Sequence, residues 1–231
     1  MITVTEVKTT ADLKKFVKFP FTLYKDSPYW VPPIIADEMD TFNRDKNPAF
    51  KDAEATIFLA YKNNEIVGRI VAVVNWIEVN QQQVSKMRFG WFDFIDDFEI
   101  SEALLTKVTE IGKKHGLAYM EGPVGFSNLD KVGVLIEGFD HIGTMITWYN
   151  HAYYASHFER LGFIKEKEYM ENKFPFKNAD PKFYAKANEL IKRRYKLRPL
   201  NFTKTKDVMP MADKMFDLFN SEIIDRGCNK F

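Results

Sequence analysis

Ala55-Thr56-Ile57-Phe58-Leu59-Ala60-Tyr61, Lys62-Asn63-Asn64-Glu65 and Ile66-Val67-Gly68-Arg69-Ile70-Val71-Ala72-Val73-Val74 follow one another without a break, and this stretch decides the architecture. Two apolar runs rich in β-branched residues flank four polar ones, and adjacent asparagines tolerate the positive φ of a tight turn. The stretch reads as a β-hairpin. Phe89 to Ile95 supplies a third, antiparallel strand after a polar connection through Gln81, Gln82 and Gln83. Next, Leu104, Leu105, Val108 and Ile111 fall on one face of a helix over 101–115, which Gly116 closes. Leu117 to Glu121 is short and apolar enough for a further strand.

Towards the N-terminus, Ile2 to Lys8 alternates like a strand, and Thr10 with Asp12 offers a helix start. Leu13, Phe16, Val17 and Phe21 continue at helical spacing, although Pro20 is expected to kink or end that helix. Prolines extend Ser27-Pro28-Tyr29-Trp30-Val31-Pro32-Pro33, and Pro33 opens a short helix towards Asn43. Towards the C-terminus, Gly122 to Asp140 is loop-like, and a helix from about Ala152 to Leu161 ends at Gly162. Phe163 to Phe174 returns as a charged edge strand that Pro175 stops. Contiguous strands in the middle with helices at the ends make the expected class α+β (mixed α/β), a mostly antiparallel central sheet flanked by helices.

Composition narrows the function. The 231 residues carry 33 basic and 32 acidic side chains, so net charge gives no reason to expect a nucleic-acid or anionic-membrane partner. A single cysteine, Cys228, excludes an internal disulfide and a multi-thiolate zinc site. The start lacks a signal-peptide core, and Arg69 and Asn75 break the most apolar stretch, so the expectation is a soluble, cytoplasmic protein with no membrane partner. No phosphate-binding Gly-x-x-x-x-Gly-Lys-Ser/Thr loop, His-Glu-x-x-His pair or Gly-x-Ser-x-Gly elbow occurs, and the four histidines are scattered. No metal is expected. The basic run Lys192-Arg193-Arg194-Tyr195-Lys196-Leu197-Arg198 is narrower than a nucleic-acid face and reads as a solvated helix end.

The segment Asn150-His151-Ala152-Tyr153-Tyr154-Ala155-Ser156-His157-Phe158-Glu159-Arg160-Leu161-Gly162-Phe163 resembles the late helix and strand of the GNAT superfamily of acyl-CoA N-acyltransferases. The order of elements agrees over about residues 1–175. Phrases such as Asp26-Ser27-Pro28-Tyr29-Trp30-Val31-Pro32-Pro33, Asn47-Pro48-Ala49-Phe50 and Leu135-Ile136-Glu137-Gly138-Phe139-Asp140 resemble an uncharacterised bacterial subgroup with two GNAT-like halves. A shift of 195 residues lays Thr205, Asp207, Phe216 and Leu218 on Thr10, Asp12, Phe21 and Leu23. The organisation so implied is a GNAT-like domain over 1–175, a linker helix over 176–196, and over 197–231 the first strand (Leu197–Phe202) and helix of a second, incomplete unit.

The resemblance implies transfer of an acyl group from acetyl-CoA or another acyl-CoA to a small-molecule or peptide amine. Two departures bear on it. The glycine-rich pyrophosphate turn of active members is replaced by Phe92-Asp93-Phe94-Ile95-Asp96-Asp97-Phe98-Glu99-Ile100-Ser101-Glu102, with five carboxylates and no glycine. Phe158 stands where many members carry the tyrosine that protonates the leaving thiolate, and Tyr154, one turn earlier, is the candidate replacement, with Tyr153 beside it. Glu121 is the candidate base and Asp93 a weaker one. Ser127, Asn128 and Asn150 are candidate donor contacts. The alternative is a catalytically silent GNAT-like module for ligand binding or assembly; on either reading a homodimer is a candidate partner.

Overall fold

The computed structural model describes residues 1–127 and 129–225; Asn128, Cys228 and the rest of the final six residues lie outside them. Five strands form one sheet in chain order: β1 (Ile2–Glu6), β2 (Ala53–Lys62), β3 (Glu65–Asn75), β4 (Lys86–Phe94) and β5 (Tyr119–Glu121). The first four pair antiparallel, and β5 joins β4 in parallel. Asn63 and Asn64 turn the β2–β3 hairpin with φ of 53° and 66°, as their residue type predicts. The parallel pair needs a crossover, which is α3 (Phe98–Lys114). The remaining helices of this region are α1 (Thr10–Leu23), α2 (Ile35–Thr41) and α4 (Tyr153–Arg160). The fold class is the expected α+β one.

Alternation along the strands builds two apolar layers. Phe58, Ala60, Ile70, Ala72 and Val74 face Ile100, Leu104, Leu105 and Val108 of α3. Leu59, Val71 and Val73 face Phe16 and Val17 of α1 on the other side. A bulge interrupts β4: Arg69 pairs with Asp93 and Val71 with Gly90, so Ile70 alone opposes Trp91 and Phe92. The extra residue reverses the alternation, and Phe89 and Phe92 therefore reach the same core. Trp91 takes φ 45°, costly for a bulky side chain, with its ring against Phe42, Phe126 and Trp148.

Three local expectations are corrected. Pro20 does not end α1, which runs through it to Leu23. Its missing N–H leaves the Phe16 carbonyl without an intrahelical donor, and Arg69 Nη1 donates to that oxygen at 3.0 Å. The helix starts at Thr10, as expected, with Thr9 as its N-cap accepting from the Asp12 N–H. The connection between β3 and β4 holds a short π-helical turn, Ile77–Gln81. Phe163–Phe174 and Leu197–Phe202 form no strand. A strand is held by ladder hydrogen bonds and not by composition, and β5, three residues long, offers a short edge.

The chain divides into two compact units, 1–167 and 168–231. The second holds α5 (Pro181–Tyr195) and α6 (Thr205–Asp225). No helix among the described residues is long and apolar enough to cross a membrane.

Gly90 gives the fold a test. A Cβ there would stand 2.5 Å from the Val124 carbonyl oxygen, a backbone atom that cannot turn away. Gly90→Ala is expected to destabilise by about 1–3 kcal/mol, the range of overpacking. Urea denaturation of the two proteins measures it.

Candidate functional site

Beyond Arg88↔Glu121 the chain leaves strand pairing with β4, and Val124 N–H still donates to Phe89 O at 2.8 Å. Past that point a cleft opens, lined by Phe92, Asp93, Pro123, Gly133, Val134, Trp148, Tyr149, Asn150 and Tyr154. Its floor is a buried polar network. Arg69 Nε donates to Asp93 Oδ2 at 2.7 Å, across the β3–β4 register that sets the two residues opposite each other. Tyr24, the residue after α1, donates to Asp93 Oδ1 at 2.7 Å. Its single proton being used there, the 3.0 Å contact between the two phenols has Tyr154 donating to Tyr24. The Phe94 N–H donates to Tyr154 Oη at 3.2 Å, and Tyr153 donates to the Phe94 carbonyl. Burial, and then the Asp93 carboxylate, push the hydroxyls of Tyr154 and Tyr24 well above the usual tyrosine range. Both stay protonated at neutral pH.

Of the residues singled out from sequence, Tyr154 and Asn150 line this cleft, with Asp93 between Tyr154 and Arg69. Asn150 is bound up internally: its Oδ1 accepts from Leu135 N–H at 2.7 Å, and its Nδ2 donates to the Leu135 and His151 carbonyls. Ser127 sits in a local turn, its N–H on Asp130 Oδ2 and its Oγ accepting from Leu129 N–H. Glu121 is elsewhere, paired with Lys86 at 2.6 Å, and Lys86 also meets Glu78, which pairs with Arg88. Asn128 lies outside the described residues. Tyr24 and Arg69 are the members that sequence reasoning missed. Pro20 carried a faint signal for Arg69, because a proline inside a helix advertises a carbonyl in need of a donor.

The acidic turn closes on itself. Asp97 caps α3, its Oδ1 accepting from Glu99 N–H at 3.1 Å. Lys62 Nζ, 2.7 Å from Asp97 Oδ2, holds that carboxyl below the usual range. Asp96 accepts from His157 Nε2 at 3.0 Å. A pyrophosphate would have to displace a carboxylate from the N–H groups it needs. The start of α3 does not fit the pyrophosphate of coenzyme A.

Four antiparallel strands, with a fifth laid parallel to the fourth by one crossover helix, make this an α+β chain with a mostly antiparallel sheet. Protein YghO of Escherichia coli is 32% identical over 154 residues, 67% of this chain and 39% of that protein. The bacterial ceramide synthase of Caulobacter vibrioides is 28% identical over 170 residues, 72% of this chain and 44% of that protein. The chain thus spans less than half the length of either curated relative. A predicted acetyltransferase solved with acetyl-CoA, from Clostridium acetobutylicum, aligns at a TM-score of 0.46 and 12% identity over 75% of this chain and 96% of that one. No family model matches.

Two measurements test the network. Asp93→Asn leaves the Arg69 guanidinium buried without a counter-charge, and equilibrium unfolding is expected to show a loss of about 3–5 kcal/mol. The second concerns alkaline pH. Tyr24 and Tyr154 have folded-state values raised above the unfolded one, so above about pH 10 the native state binds more protons than the unfolded chain. Their contribution is complete below that pH and is lost as pH rises towards the folded values. Tyr154→Phe is expected to flatten the fall of stability above about pH 10, read from melting temperatures across the range.

Proposed function

We propose that the chain is the GNAT-like part of an N-acyltransferase, moving an acyl group from a thioester to an amine. The observation that carries this reading is the Tyr154 hydroxyl, kept protonated by burial at the wall of a cleft and linked to a carboxylate through one further phenol. Attack of an amine nitrogen on a thioester carbonyl releases a proton from nitrogen and needs one on sulfur. Asp93 takes the proton from nitrogen. Tyr154 gives its own to the leaving sulfur and regains one from Tyr24, which Asp93 reprotonates. Atoms and charge balance, and the phenols return to their starting state. The ceramide synthase relative supports the reaction class, because a ceramide is an amide.

A second reading has one observation in its favour. The self-capped start of α3 suits a silent module, or a donor whose handle is held elsewhere, such as a carrier-protein thioester. Calorimetry of acetyl-CoA with the chain is expected to give an affinity weaker than micromolar in either case. Amide formation separates the two readings. With a long-chain acyl thioester and a long-chain amine, mass spectrometry is expected to detect amide, and Tyr154→Phe to slow its formation by about 10²-fold or more. Absence of amide with the wild-type chain would leave the silent module.

A further inference from the structure

Helix α5 has two unlike sides. At 3.6 residues per turn, Phe183, Ala187, Leu190 and Ile191 fall together, with Tyr184 and Tyr195 along one border. The large members of this stripe are uncovered: Phe183, Tyr184, Leu190, Ile191 and Tyr195 are 48–63% exposed. An exposed apolar stripe on an ordered helix marks an interaction surface.

Charge says what that surface meets. Seven of the chain's 33 basic side chains fall within residues 181–198, against one of its 32 acidic ones, Glu189. The expectation of no anionic-membrane partner followed from whole-chain charge, which averages over this segment. Lys186 and Arg193 flank the stripe beside Leu190, one turn before and after it, and Lys192 flanks it beside Tyr195. Lys192 meets Glu189 at 3.4 Å, an exposed pair that costs little to open. Arg194 lies within the stripe, its guanidinium carbon 5.6 Å from the centre of the Tyr195 ring. Long basic side chains at these places keep their stems on apolar surface and carry their charge outward.

A partner must therefore offer hydrocarbon bordered by negative charge. Nucleic acid offers the charge without the hydrocarbon. A second α5 laid on this stripe would set cation against cation. An anionic bilayer offers both, with phosphate headgroups above acyl chains. Fifteen residues are too few to span it, so the helix lies in its plane. The sequence of α6 has more acidic than basic residues, which leaves this contact to α5.

We propose that α5 seats on an anionic lipid surface, its stripe among the upper acyl chains and Lys186, Lys192 and Arg193 on the phosphates. The inference goes beyond the acyl-transfer reading and does not rest on it.

The test is co-sedimentation of the whole chain with vesicles of phosphatidylglycerol and phosphatidylcholine in equal parts, and with phosphatidylcholine alone. Binding is expected with the mixed vesicles, weakening at least tenfold on pure phosphatidylcholine and falling as salt rises. Two double variants separate the contributions, and no residue of α5 is buried, so both are expected to fold; circular dichroism checks that. Lys186→Gln with Arg193→Gln is expected to weaken binding about tenfold or more. Leu190→Gln with Ile191→Gln is expected to do the same, because the stripe loses its centre. No binding to the mixed vesicles at low salt overturns the proposal. Equal binding to pure phosphatidylcholine removes the headgroup contact and also overturns it. Binding lost in the charge variant but unchanged in the apolar one means adsorption through the basic run alone, and overturns the seating of the stripe. A dimer in sedimentation velocity that Leu190→Gln with Ile191→Gln dissociates, without vesicle binding, assigns the stripe to a second copy instead.

Discussion

The guanidinium of Arg69 joins three pieces of the chain that are distant in sequence. One nitrogen reaches the Phe16 carbonyl, which Pro20 deprives of its helical donor, and another holds Asp93 across the strand pair. Its carbon lies 4.8 Å from the centre of the Phe16 ring, so the cation also has an aromatic wall. A buried charge is tolerated only when it is paired and hydrogen-bonded, and here both partners are fixed by backbone geometry. Once Arg69 is in place, α1 is anchored to β3, and Tyr24 at its end is brought to Asp93. The proline that looks like a defect in α1 is the reason the helix needs the sheet.

The β4 bulge is the second constraint. A regular strand would send Phe89 and Phe92 to opposite faces, because side chains alternate with a period of two. The additional residue brings both into the α3 core, while Trp91 turns into the α1 side with Nε1 on Glu38 at 3.0 Å. Asp93 then lands opposite Arg69, and the Phe94 N–H and carbonyl meet Tyr154 and Tyr153 of α4. The strain in Trp91 is local, and the order that follows from it is shared among three elements. The end of β4 is thereby rigid where the cleft begins.

The acidic turn at the start of α3 is held by contacts within the chain. Asp97 occupies the Glu99 N–H at the start of α3, and Lys62 neutralises it. Capping by an internal carboxylate stabilises the helix through its dipole. His157 adds a tie from α4, reaching Asp96 with one nitrogen and Ser101 with the other. The polar groups gathered here therefore serve cohesion between α3 and α4, and the chemistry proposed for the chain rests with Tyr154.

Local pattern was enough for the hairpin, the α3 face and the helix ends, because each depends on neighbours within a few residues. Asn63-Asn64 can turn a chain wherever it lies, and Gly116 and Gly162 take the positive φ that their positions after helices suggest. Tyr154 is singled out by the family resemblance together with its place one helical turn before Phe158. Its partners are not. Tyr24 stands 130 residues away and Arg69 looks like an interruption in an apolar strand, so only the register of β3 on β4 and the docking of α1 bring them together. Phe163–Phe174 shows the converse, for strand-like composition gives no strand without a ladder to join. Sequence determined which segments could turn, coil or extend, because those choices are made by each residue's own backbone and its near neighbours. Tertiary structure decided which polar groups share a buried site, because pairing charges across a sheet is a property of register and packing, not of any one segment.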